Sequence, residues 1–254
     1  MEFELTWLAL GFAALAAGFV DAIAGGGGLI QIPALMAAYP QELPARLFGT
    51  NKLASIIGTA SAAVRYGRRI PIPWSVALPG ALAALVGAWL GARFVSALDP
   101  ALLRPMVMVL LLVVAAYTYF KKDFGRDDLD HDQPVAPWVP MGIGGAVGFY
   151  DGFFGPGTGS FFIFLLIHLV GLDFLRASVT AKILNVATNL AAISYFAMTD
   201  SVMWRLGILM ALCNLIGAQL GSRLALARGT SFVRQVFLLV VLVLVGKLGL
   251  DLLG

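Results

Sequence analysis

Two lysines stand inside stretches that are otherwise apolar enough to cross a bilayer. Lys52, Ser55 and Thr59 follow the spacing i, i+3, i+7 and share one helix face. Lys182, Asn185 and Asn189 repeat that spacing 130 residues later. Asn51 precedes Lys52, and Thr50 and Thr180 sit at the expected helix starts. A lysine at the centre of a membrane helix costs roughly 2.5–3.5 kcal/mol, so an ionisable group at that depth is read first as functional. A cation flanked by amides and hydroxyls suits a small anion. The alternative is that each lysine lies about one turn from a helix end and extends its ammonium to the headgroups. Both readings stand at this point. Asp21 and Asp151 form a second matched pair. They would act as proton-coupling carboxylates or as structural partners of the lysines.

The second motif is a break in each copy. The first reads Asp21-Ala-Ile-Ala-Gly25-Gly26-Gly27-Gly28, the second Asp151-Gly-Phe-Phe-Gly155-Pro-Gly157-Thr158-Gly159-Ser160. Each glycine disfavours helix by about 1 kcal/mol against alanine, and Pro156 lacks a backbone donor. Non-helical backbone at membrane depth is tolerated only where protein or a cavity surrounds it. The leg after each break begins with free N–H groups and the positive end of a helix dipole, which favours anions. Close helix packing is the competing explanation. It is the preferred one for Gly87-x-x-x-Gly91 and Gly217-x-x-x-Gly221. The candidate substrate-binding set is therefore Gly25, Gly26, Gly27, Gly28, Asn51, Lys52, Gly157, Thr158, Gly159, Lys182, Asn185 and Asn189.

The elements that must position these residues follow from composition and from the repeat. Of 254 residues, 60% are hydrophobic and 12% charged, about half the charge of a soluble domain. Runs such as 101–120 and 232–253 reach the roughly 20 residues that span a bilayer core. The fold class is an all-α integral membrane protein. Shifted by 130, the chain overlays itself without a gap: Arg46, Trp74 and Arg93 fall on Arg176, Trp204 and Arg223. Matched charged and aromatic residues at one offset indicate duplication, a common plan for secondary transporters. The units are residues 1–120, a polar linker 121–137, and residues 138–254. Expected legs are 5–24, 29–39, 47–66, 72–95 and 100–120, then 138–154, 160–170, 177–197, 202–225 and 231–253.

Basic loops set orientation. Arg65, Arg68 and Arg69 mark a cytoplasmic loop, and Lys121 and Lys122 a cytoplasmic linker. In the second copy the basic turn is Ala227-Arg228-Gly229, at the opposite position in the unit. Inverted repeats of five legs each follow, with both termini outside. Parallel repeats with a re-entrant short leg are the alternative. The single cysteine, Cys213, excludes a disulfide framework. No catalytic triad, paired catalytic carboxylates or metal cluster assembles at usual spacings, so neither an enzyme nor a metal or cofactor is expected. Nucleic-acid binding lacks a basic stripe or aromatic platform. The N-terminus has no positive leader region and reads as mature protein.

At these motifs the chain resembles the TauE/SafE family of membrane permeases. The resemblance rests on residues 18–30 (GFVDAIAGGGGLI), 49–53 (GTNKL), 148–159 (GFYDGFFGPGTG) and 180–185 (TAKILN), and it runs over nearly the whole chain. It implies a multi-pass inner-membrane transporter of sulfite, an organosulfonate or another sulfur-containing anion, working by alternating access with proton coupling as an option. An anion channel on the same scaffold and a non-transporting assembly factor are the alternatives. The expected partners are the anion and the lipid bilayer; oligomeric state is left open.

Overall fold

The computed structural model describes residues 2–99, 101, 103, 106, 109 and 136–253, with side chains described between 5 and 228. The expected leg 100–120, apart from those four positions, and linker residues 121–135 lie outside this range. Among the described residues there are eight helices and no strand. They are α1 (Glu2–Ala24), α2 (Gly28–Ala38), α3 (Pro44–Gly67), α4 (Trp74–Ser96), α5 (Trp138–Phe153), α6 (Thr158–Val170), α7 (Phe174–Met198) and α8 (Trp204–Leu253). The starts of α2, α3 and α4 recur 130 residues later as the starts of α6, α7 and α8. Three stretches, Leu5–Ala24, Trp74–Ser96 and Trp204–Arg228, are long and apolar enough to cross a membrane. Rows of exposed apolar residues fit lipid contact: Leu78, Leu82, Val86 and Leu90 on α4, and at matching positions Ile208, Leu212, Ile216 and Leu220 on α8.

Two boundaries depart from expectation with consequences. Helices α3 and α7 begin three residues before their predicted starts. Pro44 occupies the first turn of α3, where a missing N–H costs nothing. Asp173 caps α7 by accepting from Leu175 N and Arg176 N. Lys52 and Lys182 consequently lie about two turns inside their helices rather than one. The expected turn at Ala227-Arg228-Gly229 is also absent, because α8 runs through it to Leu253. One glycine, with no proline beside it, costs only about 1 kcal/mol and does not by itself end a helix.

The short helices fold back on the long ones. On the α1–α2 hairpin, Trp7 Nε1 donates to Tyr39 Oη at 3.1 Å, and Leu10 and Ala14 share a core with Leu35. On the α5–α6 hairpin, Tyr150 Oη donates to Pro156 O at 2.6 Å, and Ile143 and Val147 pack with Ile163 and Leu166. The glycine breaks are the tips of these two hairpins.

Packing cuts across the sequence repeat. Helix α1 packs chiefly on α8, and its counterpart α5 on α4; α3 packs on α8 as α7 packs on α4, while α3 and α4 touch little. Two bundles result, α1–α2–α3–α8 and α4–α5–α6–α7, joined mainly through α3 against α7. The small-residue motifs make the exchange. A Cβ on Gly217 or Gly221 would strike Leu15 O or Phe19 O of α1, and one on Gly87 or Gly91 would strike Gly145 O or Phe149 O of α5. Leu15 and Phe19 are the repeat partners of Gly145 and Phe149. Contacts advance in the same direction along each pair, so α1 runs parallel to α8, and α4 parallel to α5.

Candidate functional site

The two hairpin tips meet. Gly25 has φ of +77°, and a Cβ on it would stand 2.6 Å from Gly159 Cα; a Cβ on Gly159 would stand 2.6 Å from Gly25 Cα. Only glycine permits both the left-handed backbone and this approach. Ser160 Oγ donates to Ala24 O at 2.7 Å and ties the start of α6 to the end of α1. The polar faces of α3 and α7 flank this junction, one from each bundle.

Lys52 and Lys182 are 2% and 4% exposed. Their ammonium groups end inside the protein, which removes the snorkelling alternative. Lys52 Nζ lies 2.7 Å from Asp151 Oδ1. Thr158 Oγ1 lies 2.7 Å from both Asp151 Oδ1 and Gly155 O, the acceptors open to its hydroxyl. Asp151 Oδ2 is buried without a hydrogen-bond partner. In the related half of the site, Thr59 Oγ1 donates to Asp21 Oδ2 at 3.0 Å and Gly27 N to Asp21 Oδ1 at 3.3 Å. Lys182 attracts Asp21 electrostatically, yet its Nζ has no hydrogen-bond partner. That ammonium sits 4.6 Å from the centroid of the Tyr66 ring, a cation–π contact. Each charge pair joins a lysine of one copy to an aspartate of the other. Each also crosses between the two bundles.

A central cavity of about 20 Å³ lies between the tips. Of the sequence-derived candidates, Gly25, Gly28, Asn51, Lys52, Gly159, Asn185, Asn189, Asp21 and Asp151 line it. Gly26, Gly27, Gly157, Thr158 and Lys182 are not on its wall. Gly27 and Thr158 instead hold the two aspartates, Gly157 provides the left-handed residue before α6, and Lys182 lies behind on Tyr66. Asn189 Nδ2 donates to Asn185 Oδ1 at 3.2 Å, orienting the amides of α7. The expected free N–H groups at the breaks are partly used: Leu29 N donates to Gly26 O, Gln31 N to Gly27 O and Thr158 N to Gly155 O. Side-chain donors therefore supply most of the polarity.

Ser55, Thr59 and Gly155 also line the cavity; the helical spacing and the glycine break already mark them. Gln31 and Tyr66 are different. Gln31 is wholly buried, accepts from Ser55 Oγ at 3.1 Å and leaves Nε2 without a partner. Tyr66 carries Lys182 and donates from its hydroxyl to Ala22 O. Their repeat counterparts are Phe161 and Phe196, so a search for matched polar residues passes over both.

The arrangement gathers two cations, two carboxylates and several amides and hydroxyls at the meeting of the tips, with Asp21, Gly28, Ser55 and Gly155 only partly buried. It has the donors to bind an anion. Among the described residues no group of histidine, cysteine and carboxylate side chains is placed to hold a metal ion.

The chain matches the model of the family described as sulfite exporter TauE/SafE over residues 10–248. It is 39% identical over 241 residues to a probable membrane transporter protein, ORF9, of Sinorhizobium sp, covering 94% of this chain and 90% of that one. It is 36% identical over 240 residues to the probable membrane transporter protein YfcA of Escherichia coli K12, covering 94% and 88%. A probable membrane transporter protein of Haemophilus influenzae is 33% identical over 242 residues, covering 92% and 91%. No solved structure matches the chain. With the polar centre buried between apolar helices and the match running over nearly the whole length, the chain belongs to the TauE/SafE family of membrane transporters.

Proposed function

We propose that this transporter carries a small sulfur-containing oxyanion, sulfite or an organosulfonate, across the inner membrane by alternating access. The observation that carries the reading is the meeting of two glycine tips between two buried lysines. The anion sits between the tips, where Lys52, Asn51, Asn185 and Asn189 on the wall supply charge and hydrogen bonds, and Lys182 leaves Tyr66 to join them. Thr158 and the glycines shape the space. Asp151 occupies Lys52 until the anion takes its place.

The 20 Å³ cavity has room for about one water, too little for a sulfite ion. Binding therefore requires the α1–α2–α3–α8 and α4–α5–α6–α7 bundles to part. A site too small for its anion until two bodies part favours a carrier over a continuous channel. The bodies that rock are these exchanged bundles rather than the sequence halves. Asp21, free of a direct ion pair, serves as the coupling carboxylate, taking up a proton when the anion engages Lys182 and releasing it when the anion leaves.

The inverted arrangement has support from helix directions. Hairpin α1–α2 returns to its starting side, α3 crosses and α4 crosses back, so α4 runs opposite to α1. Because α5 is parallel to α4, it too runs opposite to α1. The arginines between α3 and α4 support a cytoplasmic position for that loop, and with it an N-terminus outside.

The test is a thermal-shift screen of the purified protein with sulfite, sulfate, thiosulfate, sulfoacetate and nitrate. Stabilisation by a sulfur oxyanion in preference to nitrate is expected. No shift with any sulfur oxyanion would remove the reading.

A further inference from the structure

A second basic site lies away from the centre. Between α3 and α8 a recess of about 530 Å³ is lined by Ala60, Ser61, Val64, Arg65, Arg68, Arg69 and Gln219. Three arginines face it, Arg223 adds its charge nearby, and no carboxylate is on its wall. Arg65 Nε is buried without a hydrogen-bond partner. Below the arginines the wall turns apolar, with Ala60 and the exposed Val64.

The duplication supplies an internal comparison. The groove between α7 and α4 contains Leu190, Ala191, Ser194 and Trp89, the counterparts of Ala60, Ser61, Val64 and Gln219. Arg65, Arg68 and Arg69 there become Tyr195, Met198 and Thr199. One groove is thus uncharged and mostly apolar, while its twin carries three cations and an amide. General membrane anchoring would not require the cations to converge on one recess with a buried, unpaired guanidinium nitrogen.

We propose that the α3–α8 recess seats the headgroup phosphate of an anionic phospholipid, held by Arg65, Arg68 and Arg69, with an acyl chain along Ala60 and Val64. Guanidinium groups match phosphate oxygens as paired donors, and basic pockets between membrane helices on the cytoplasmic side suit such headgroups. The apolar lower wall favours a lipid over a free phosphate. The site is separate from the central cavity, sharing no residue with it.

The experiment is thermal unfolding of the full chain in detergent, titrated with phosphatidylglycerol, phosphatidylcholine or soluble glycerol 3-phosphate. Phosphatidylglycerol should raise the midpoint by about 4 °C or more, and the other two by much less. The variant Arg65→Gln/Arg68→Gln/Arg69→Gln should lose the phosphatidylglycerol shift. An equal shift with phosphatidylcholine, an equal shift with glycerol 3-phosphate, or a shift retained in the variant would each overturn the proposal. If that variant does not fold, native mass spectrometry of Arg68→Gln/Arg69→Gln, both exposed positions, decides. Loss of a retained phosphatidylglycerol adduct supports the site, and an unchanged adduct overturns it.

Discussion

Lys52 and Asp151, from different copies of the repeat and different bundles, are joined at 2.7 Å. Their counterparts Lys182 and Asp21 attract without a direct bond, and Lys182 rests on Tyr66 instead. One latch between the bundles is closed and the other is open. In a low-dielectric interior, removing one partner of a closed pair leaves a charge that nothing compensates. Lys52→Met should destabilise the protein by about 3–5 kcal/mol. Lys52→Met with Asp151→Asn should recover part of that loss. A double-mutant cycle by thermal unfolding should give a coupling of roughly 0.5–3 kcal/mol; additive losses would show that the contact does not hold the bundles.

Glycines at the tips should differ sharply in tolerance. A Cβ on Gly25 or Gly159 meets facing backbone at 2.6 Å, whereas one on Gly26 finds its nearest neighbour at 3.7 Å, ordinary contact. Gly25→Ala and Gly159→Ala should abolish transport, with Gly25→Ala adding strain from its positive φ. Gly26→Ala should remain active. Flux in proteoliposomes and thermal stability together check this contrast.

Exchanged packing is testable through the chain's one cysteine. A Cβ on Gly11 of α1 would stand 3.3 Å from Cys213 Sγ of α8, close to disulfide geometry. Gly11→Cys should therefore form a bridge to Cys213 under mild oxidation. After cleavage at a protease site engineered within residues 121–137, the fragments should stay linked until reduced. Fragments that separate without reductant would contradict α1–α8 packing.

Asp21 carries the coupling assignment. Asp21→Asn should retain exchange of anion for anion across liposomes but lose accumulation driven by a pH gradient. Gradient-driven accumulation that persists in this variant would move the proton elsewhere.

Much of this centre was legible in the sequence because duplication doubles every signal. Residues such as Lys52 and Lys182 stand out from apolar surroundings only when their common offset is seen. The glycine breaks were legible through propensity as interruptions between two legs. What the repeat could not reveal was asymmetry. Tyr66 and Gln31 face phenylalanines at the matched positions, and they carry contacts that one copy makes and the other does not. Nor does spacing along a chain say which helices touch. The exchange of α4 and α8 between copies depends on Gly87, Gly91, Gly217 and Gly221 meeting α5 and α1, which are long-range contacts. The helical passage through Gly229 was misread because a basic, glycine-containing stretch resembles a turn, while one glycine is too weak to enforce one.

Lys182 gives a graded test of the binding site. Its ammonium has no hydrogen-bond partner to lose, so Lys182→Gln should change folding stability less than Lys52→Met does. It should weaken sulfite binding by roughly tenfold to a hundredfold, the worth of a charged hydrogen bond. Isothermal titration with sulfite measures this; unchanged affinity would place the anion away from Lys182.

Labelled sulfite flux into liposomes containing the purified protein tests the central claim most directly. The account predicts saturable uptake by the wild type and its loss in Lys52→Met/Lys182→Met reconstituted to the same level. Absence of flux in the wild type, or undiminished flux in the folded double variant, would contradict it.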